Sequence, residues 1–218
     1  MSPRKAYETE LVELDRQVTE MAKKTQQAIE LAVRSFEKLD QGMADEVRRL
    51  DVELYRLNIE IEKRCLEVIA LQSPVAKDLR TIGTYIKVIT DFDRIGRYAK
   101  DIAEVTGHAR DMAHFKPLVS IPHMAQMAEK MVDLSVKAFL ERDVGPTKDV
   151  FDLEDKVDSL YDEIFREVIT YMMEDSKKIG LGINYTLVAR YLERIADHAC
   201  NISERVIYMV TGQRVVKE

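Results

Sequence analysis

Glu154 and Asp158 stand four residues apart, as do Glu193 and Asp197, and Asn201 follows a further four along. On an α-helix, positions i, i+4 and i+8 fall on one side, so each set forms a column of oxygen donors. If the two helices lie side by side, four carboxylates converge on one surface groove. Like charges at i, i+4 repel by roughly 0.2–0.5 kcal/mol on an isolated helix, and two facing pairs repel more until a cation fills the space. Carboxylate oxygens suit hard or borderline divalent and trivalent metal ions. The same spacing is also common on solvated helix faces, where Arg190 or Arg194 could neutralise the pairs locally, and spacing alone leaves both readings open. His198, next to Asp197, projects about 100° around the helix and is the poorer ligand candidate.

A second, incomplete set lies in the first half. Asp51 and Asp93 correspond to Glu154 and Glu193, and Asp101 lies two turns beyond Asp93. Tyr55 stands where the other set has Asp158, and Arg97 where it has Asp197. These three acids form a weaker ligand set.

Both sets belong to a repeated unit. Residues 91–104, DFDRIGRYAKDIAE, align with 191–204, YLERIADHACNISE, at an offset of 100 (Arg94 to Arg194). Upstream the offset is 103: Asp40-Gln-Gly matches Asp143-Val-Gly, and Leu57 matches Leu160. Helical periodicity marks six segments, about 7–39, 43–71, 75–112, 123–142, 148–173 and 182–211. The third carries an apolar stripe, Tyr85, Val88, Phe92, Ile95, Ala99 and Ile102, and the sixth repeats it at 185–202. Steps of three and four are those of a helix packed along its length. The acidic columns lie off this stripe, on the opposite face. The expectation is an all-α fold of two tandem three-helix bundles, roughly 7–113 and 122–212, with domains 1–116 and 117–218. The break between them is FKPLVSIP (115–122).

Composition narrows the function. Of 218 residues, 33% are charged and 46% hydrophobic, with 8 Gly and 5 Pro, the balance of a helical globular protein. A net charge of −6 provides no overall basic field for nucleic acid. Cys65 and Cys200 are far apart, form no CxxC motif, and read as small core hydrophobes in a reducing cytoplasm. No transmembrane segment and no signal peptide are expected. No GxxxxGK[ST] loop exists to cradle phosphates, so no nucleotide or organic cofactor is expected. His108, His114 and His123 flank the central break without ligand spacing and read as surface or turn histidines.

Taken with YMMEDS and IYMVTGQ, the segment LERIADHACNI (192–202) resembles the LERIGD-x-x-x-NI segment of the PhoU family of phosphate-uptake regulators, with Ala196 at the usual glycine. KDLR (77–80) matches a signature of the family's first repeat. The resemblance covers nearly the whole chain. It implies an all-α cytoplasmic regulator, not an enzyme, acting negatively as an adaptor to the phosphate ABC transporter ATPase subunit, the phosphate-sensing histidine kinase, or both. It implies a metal (iron, zinc, nickel or magnesium) on the acidic motifs, with Glu154, Asp158, Glu193 and Asp197 as ligands and Asn201 beside them. A homodimer is expected, with no face assigned to it.

Arg97 has no lone pair to give a metal and stays charged, so the first repeat is expected to hold a built-in cation in place of one. A metal-independent helical adaptor is the alternative. A di-iron oxidase would need Glu-x-x-His from two helices, with ligands facing inward, and the sequence has no such motif.

Overall fold

The computed structural model describes residues 3–72, 74–116 and 118–215. These form six α-helices: α1 (Pro3–Lys38), α2 (Gln41–Gln72), α3 (Ala76–His108), α4 (Ser120–Glu141), α5 (Gly145–Glu174) and α6 (Ile179–Thr211). A single 3₁₀ turn, Ser176–Lys178, leads into α6. Among the described residues there is no strand. The expected domain boundary falls at Pro117, and it lies outside the described residues, as do Ser73 and the two extreme ends.

Helices α1, α2 and α3 pack on one another, and α4, α5 and α6 do the same. The two bundles also join each other, α3 along α6 and α1 along α4. One hydrophobic cluster runs through both, from Leu14 and Phe36 to Val188 and Val206. The stripes read from sequence are its spine: Tyr85, Phe92, Ile95, Tyr185, Leu192 and Ile195 are all fully or almost fully buried. Cys65 and Cys200 are buried in it, and burial pushes the Cys65 thiol up to about 12.

Repeated sequence gives repeated local structure. Leu39 and Arg142, equivalent positions that end α1 and α4, both adopt the left-handed conformation at φ 53°. The aspartate after each then bonds the start of the next helix: Met43 N donates to Asp40 Oδ1 at 3.1 Å, as to an N-cap, and Gly145 N to Asp143 Oδ1 at 3.0 Å, one residue ahead of the N-cap Val144.

The boundaries shift by three or four residues at the starts of α1, α4, α5 and α6 and at the end of α3. Pro122 does not delay α4, because a first-turn proline lacks only a donor that no helical carbonyl needs. α6 starts before Gly182, since a Cβ there would meet Met172 at 2.7 Å and glycine lets α5 and α6 approach.

His108 and His123 are exposed, as expected, but His114 is not an ordinary turn histidine. Its Nε2 lies 3.0 Å from the Phe36 carbonyl and 3.1 Å from that of Glu37, and its Nδ1 lies 2.9 Å from Tyr185 Oη. Two carbonyls can only accept, so Nε2 carries a proton. The loop between the bundles is thereby tied to both.

Candidate functional site

The α3–α6 contact places the site. Arg80 meets Met209, Asp91 meets His198 and Tyr98 meets Tyr191. Each step forward along α3 is matched by an equal step back along α6, so the two helices run antiparallel around a pseudo-two-fold axis. α2 flanks α3, and α5 flanks α6, on the outer sides. Each α2–α3 or α5–α6 pair therefore presents its own acidic columns.

In the second repeat Val157 is buried and Leu153 packs against the core, which turns Glu154 and Asp158 outward beside Glu193 and Asp197. Asp158 lies within electrostatic reach of Glu154, Glu193 and Asp197. Partial burial raises the Asp158 carboxyl above the usual range, and the nearby Glu193, Asp197 and Glu154 push it further the same way. Two arginines answer this charge from the helix that carries it. Arg190 Nη1 donates to Glu193 Oε2, and Arg194 Nη1 donates to Asp197 Oδ2 at 2.8 Å. Local neutralisation, which spacing had left open, is thus present. Asn201 is half-buried one turn beyond and makes no hydrogen bond to the four.

The first repeat is more enclosed than the sequence suggested. The side chains of Asp51 and Asp93 are only 12% and 13% exposed. Arg97 sits between them, Nε 3.7 Å from Asp51 Oδ1 and Nη2 3.9 Å from Asp93 Oδ2. These are charge contacts without a hydrogen bond, and Asp51 Oδ1 and Asp93 Oδ1 are buried with no hydrogen-bond partner. Burial raises the Asp93 carboxyl; Arg97 pulls it back and Asp51 pushes it up again. Asp101 is raised by burial and Glu104, with Arg97 and Lys100 opposing. Asp51, Asp93 and Asp101 thus share one guanidinium. Tyr55 is half exposed.

Among the described residues, no three Asp, Glu, His or Cys side chains stand arranged to hold a metal ion. The donor set is nevertheless chemically suited to a hard cation: all-carboxylate, mutually repelling, and in the first repeat with orphaned buried oxygens. Metal would have to displace guanidinium groups: Arg190 and Arg194 are partly exposed, and Arg190 also lies over the Tyr161 ring, 5.8 Å from its centroid.

Sequence reasoning missed the joint between the two columns. His198 Nδ1 lies 2.9 Å from Asp91 Oδ1, and Tyr98 stacks on Tyr191 with centroids 6.1 Å apart. Asp91 and Tyr191 are equivalent positions, as are Tyr98 and His198. An antiparallel crossing therefore pairs each polar member with the other repeat's partner. The signal was available: the same two positions, seven apart, carry polar or aromatic residues in both copies.

A family model described as the PhoU domain matches the chain twice, over residues 18–106 and 121–206. A Clostridium acetobutylicum protein named phosphate-specific transport system accessory protein PhoU homolog is 34% identical over 213 residues, 97% of each chain. Its Aquifex aeolicus namesake is 39% identical over 206 residues, 94% of this chain and 93% of that one. The crystal structure of PhoU from Pseudomonas aeruginosa superposes with a TM-score of 0.91 at 31% identity, covering 95% of this chain and all of the other.

Proposed function

The chain belongs to the PhoU family, and on that premise we propose that it is an accessory protein regulating phosphate transport. It works by binding rather than catalysis, in the cytoplasm, as an adaptor that restrains uptake or the phosphate-starvation response. Its partners are the ATPase subunit of the phosphate ABC transporter, the phosphate-sensing histidine kinase, or both, and it acts as a homodimer. The observation that carries this reading is full-length likeness, in sequence and in backbone, to proteins named for that transport system. None of the described helices is long and apolar enough to cross a membrane, so contact with a transporter runs through a partner surface.

The second-repeat groove is the regulatory input in this reading. Glu154, Asp158, Glu193 and Asp197 hold a divalent or trivalent cation when Arg190 and Arg194 turn away, with Asn201 at the margin. The metal supplies charge neutralisation, which lowers the repulsion now raising Asp158. In the first repeat Arg97 supplies that neutralisation itself. One observation favours a metal-independent adaptor instead: Glu193 and Asp197 already have arginine partners.

Deleting the gene in its host and measuring phosphate uptake at high external phosphate tests the role. Uptake that rises and returns to normal on re-expression supports negative regulation. Unchanged uptake and unchanged starvation-response output would sink it. Binding of the purified chain to the ATPase subunit and to the kinase's cytoplasmic part then identifies the partner.

A further inference from the structure

Acidic residues outnumber basic ones in this chain, 39 to 33, yet one cavity reverses the balance. It lies where the start of α3 meets the end of α6 and has a volume of about 620 Å³. Arg80, Lys87, Arg205 and Arg214 line it, against a single acid, Glu204. Some basic side chains elsewhere are paired with acids, as at Arg16, Arg64 and Lys116. Among the described residues none of these four forms an ion pair.

How they are held matters. Arg80 is fixed by backbone: its Nε donates to the Met209 carbonyl at 3.2 Å, which leaves its charge uncompensated at the cavity wall. Arg214 rests on the Tyr208 ring, 5.7 Å from the centroid. Arg205 Nε is enclosed and has no hydrogen-bond partner. A buried charged donor without an acceptor is unfavourable, and the usual resolution is an acceptor supplied from outside the chain. The first turn of α3 adds to the same field. Ala76 lines the cavity, the N-cap residue Val75 makes no side-chain cap, and the helix dipole is positive at that end.

The repeat shows that this charge is an addition to one end of the molecule. At the offset of 100, Arg80 and Lys87 correspond to Gly180 and Leu187, and Arg205 corresponds to Val105. The pseudo-equivalent end therefore lacks three of the cations. Packing the two repeats does not require them.

We propose that this cavity binds a small organic anion bearing one or more phosphoryl groups. Arg80, Arg205 and Lys87 face the phosphoryl oxygens, guanidinium groups being suited to bidentate contact with them. The apolar wall of Leu79, Tyr208 and Val215 takes the organic portion. Size supports an organic ligand, since the cavity falls within the roughly 300–1,000 Å³ of small-molecule sites and exceeds what an inorganic phosphate fills. The site is separate from the acidic columns and does not depend on metal there.

Calorimetry of the full chain with inorganic phosphate, pyrophosphate and ADP tests this, beside Arg205→Gln and Lys87→Gln. The expected result is that ADP binds more tightly than inorganic phosphate. Each variant should weaken ADP by about tenfold or more, the loss of one charge-assisted contact. Arg205→Gln should not lower the melting temperature without ligand, because Nε makes no bond in the fold, which separates a binding defect from unfolding. Failure of all three probes to bind would overturn the proposal. So would ADP binding unchanged in both variants, or ADP no tighter than inorganic phosphate. Binding only to phosphatidylglycerol vesicles would overturn it as well, by making the cavity a membrane contact.

Discussion

Glu129 gives the sharpest stability prediction. It lies on α4 where that helix packs along α1, and it faces Glu30 and Glu37 of α1 and Asp133 one turn on. Burial raises its carboxyl from 4.5 to about 7, and those three acids add to the rise. The folded pKa thus lies above the unfolded one. The stability that the bound proton contributes is complete below about pH 4.5 and is lost as pH rises through about 7. A shift of that size corresponds to about 3 kcal/mol at most. Partial exposure and relaxation of the α1 side chains reduce the expected effect to about 1–2 kcal/mol. Glu129→Gln keeps the shape and removes the charge. At pH 8 the variant should be more stable than the parent by that amount, and the advantage should shrink steadily on acidification towards pH 5. Urea unfolding followed by circular dichroism at pH 5, 6.5 and 8 measures it. A variant less stable at pH 8, or a difference independent of pH, would refute the electrostatic reasoning at the α1–α4 joint.

Two further outcomes follow from the first repeat. A Cβ at Gly96 would overlap Leu54 Cδ1, and the second repeat has Val157 and Ala196 at these places. Gly96→Ala should therefore cost about 1–3 kcal/mol and Leu54→Val about 1, while the double variant recovers much of the first loss. Simple additivity in denaturant unfolding would count against this close approach. Arg97→Met removes the cation beside Asp51 and Asp93. It should cost about 1–2 kcal/mol at pH 7 and less near pH 4, where Asp93, its pKa raised, takes up a proton. An equal cost at both pH values would point to packing rather than charge.

How far the sequence reached depended on whether the information was local. Helix stripes and the offset between copies are local or repeated, so the fold, the buried spine and the nearness of Asp158 to Glu154, Glu193 and Asp197 were legible. Asp51 and Asp93 were underrated because nothing in the spacing shows how closely α2 and α3 approach; the Gly96–Leu54 contact does. His114 was misread because its three partners lie more than seventy residues away. The basic cavity was not legible as one site, although Arg80 falls in KDLR and Tyr208 in IYMVTGQ. Its cations sit at 80, 87, 205 and 214, and only the antiparallel crossing of α3 and α6 brings them together.

The central functional claim is that the second-repeat carboxylates take a metal ion. Calorimetric titration of metal-free protein with iron, zinc, nickel and magnesium, beside Glu193→Ala/Asp197→Ala, tests it most directly. The account predicts binding of at least one of these ions by the parent and its loss in the variant. Unchanged binding in the variant, or none in either protein, would contradict it and leave the acidic columns as arginine-paired surface.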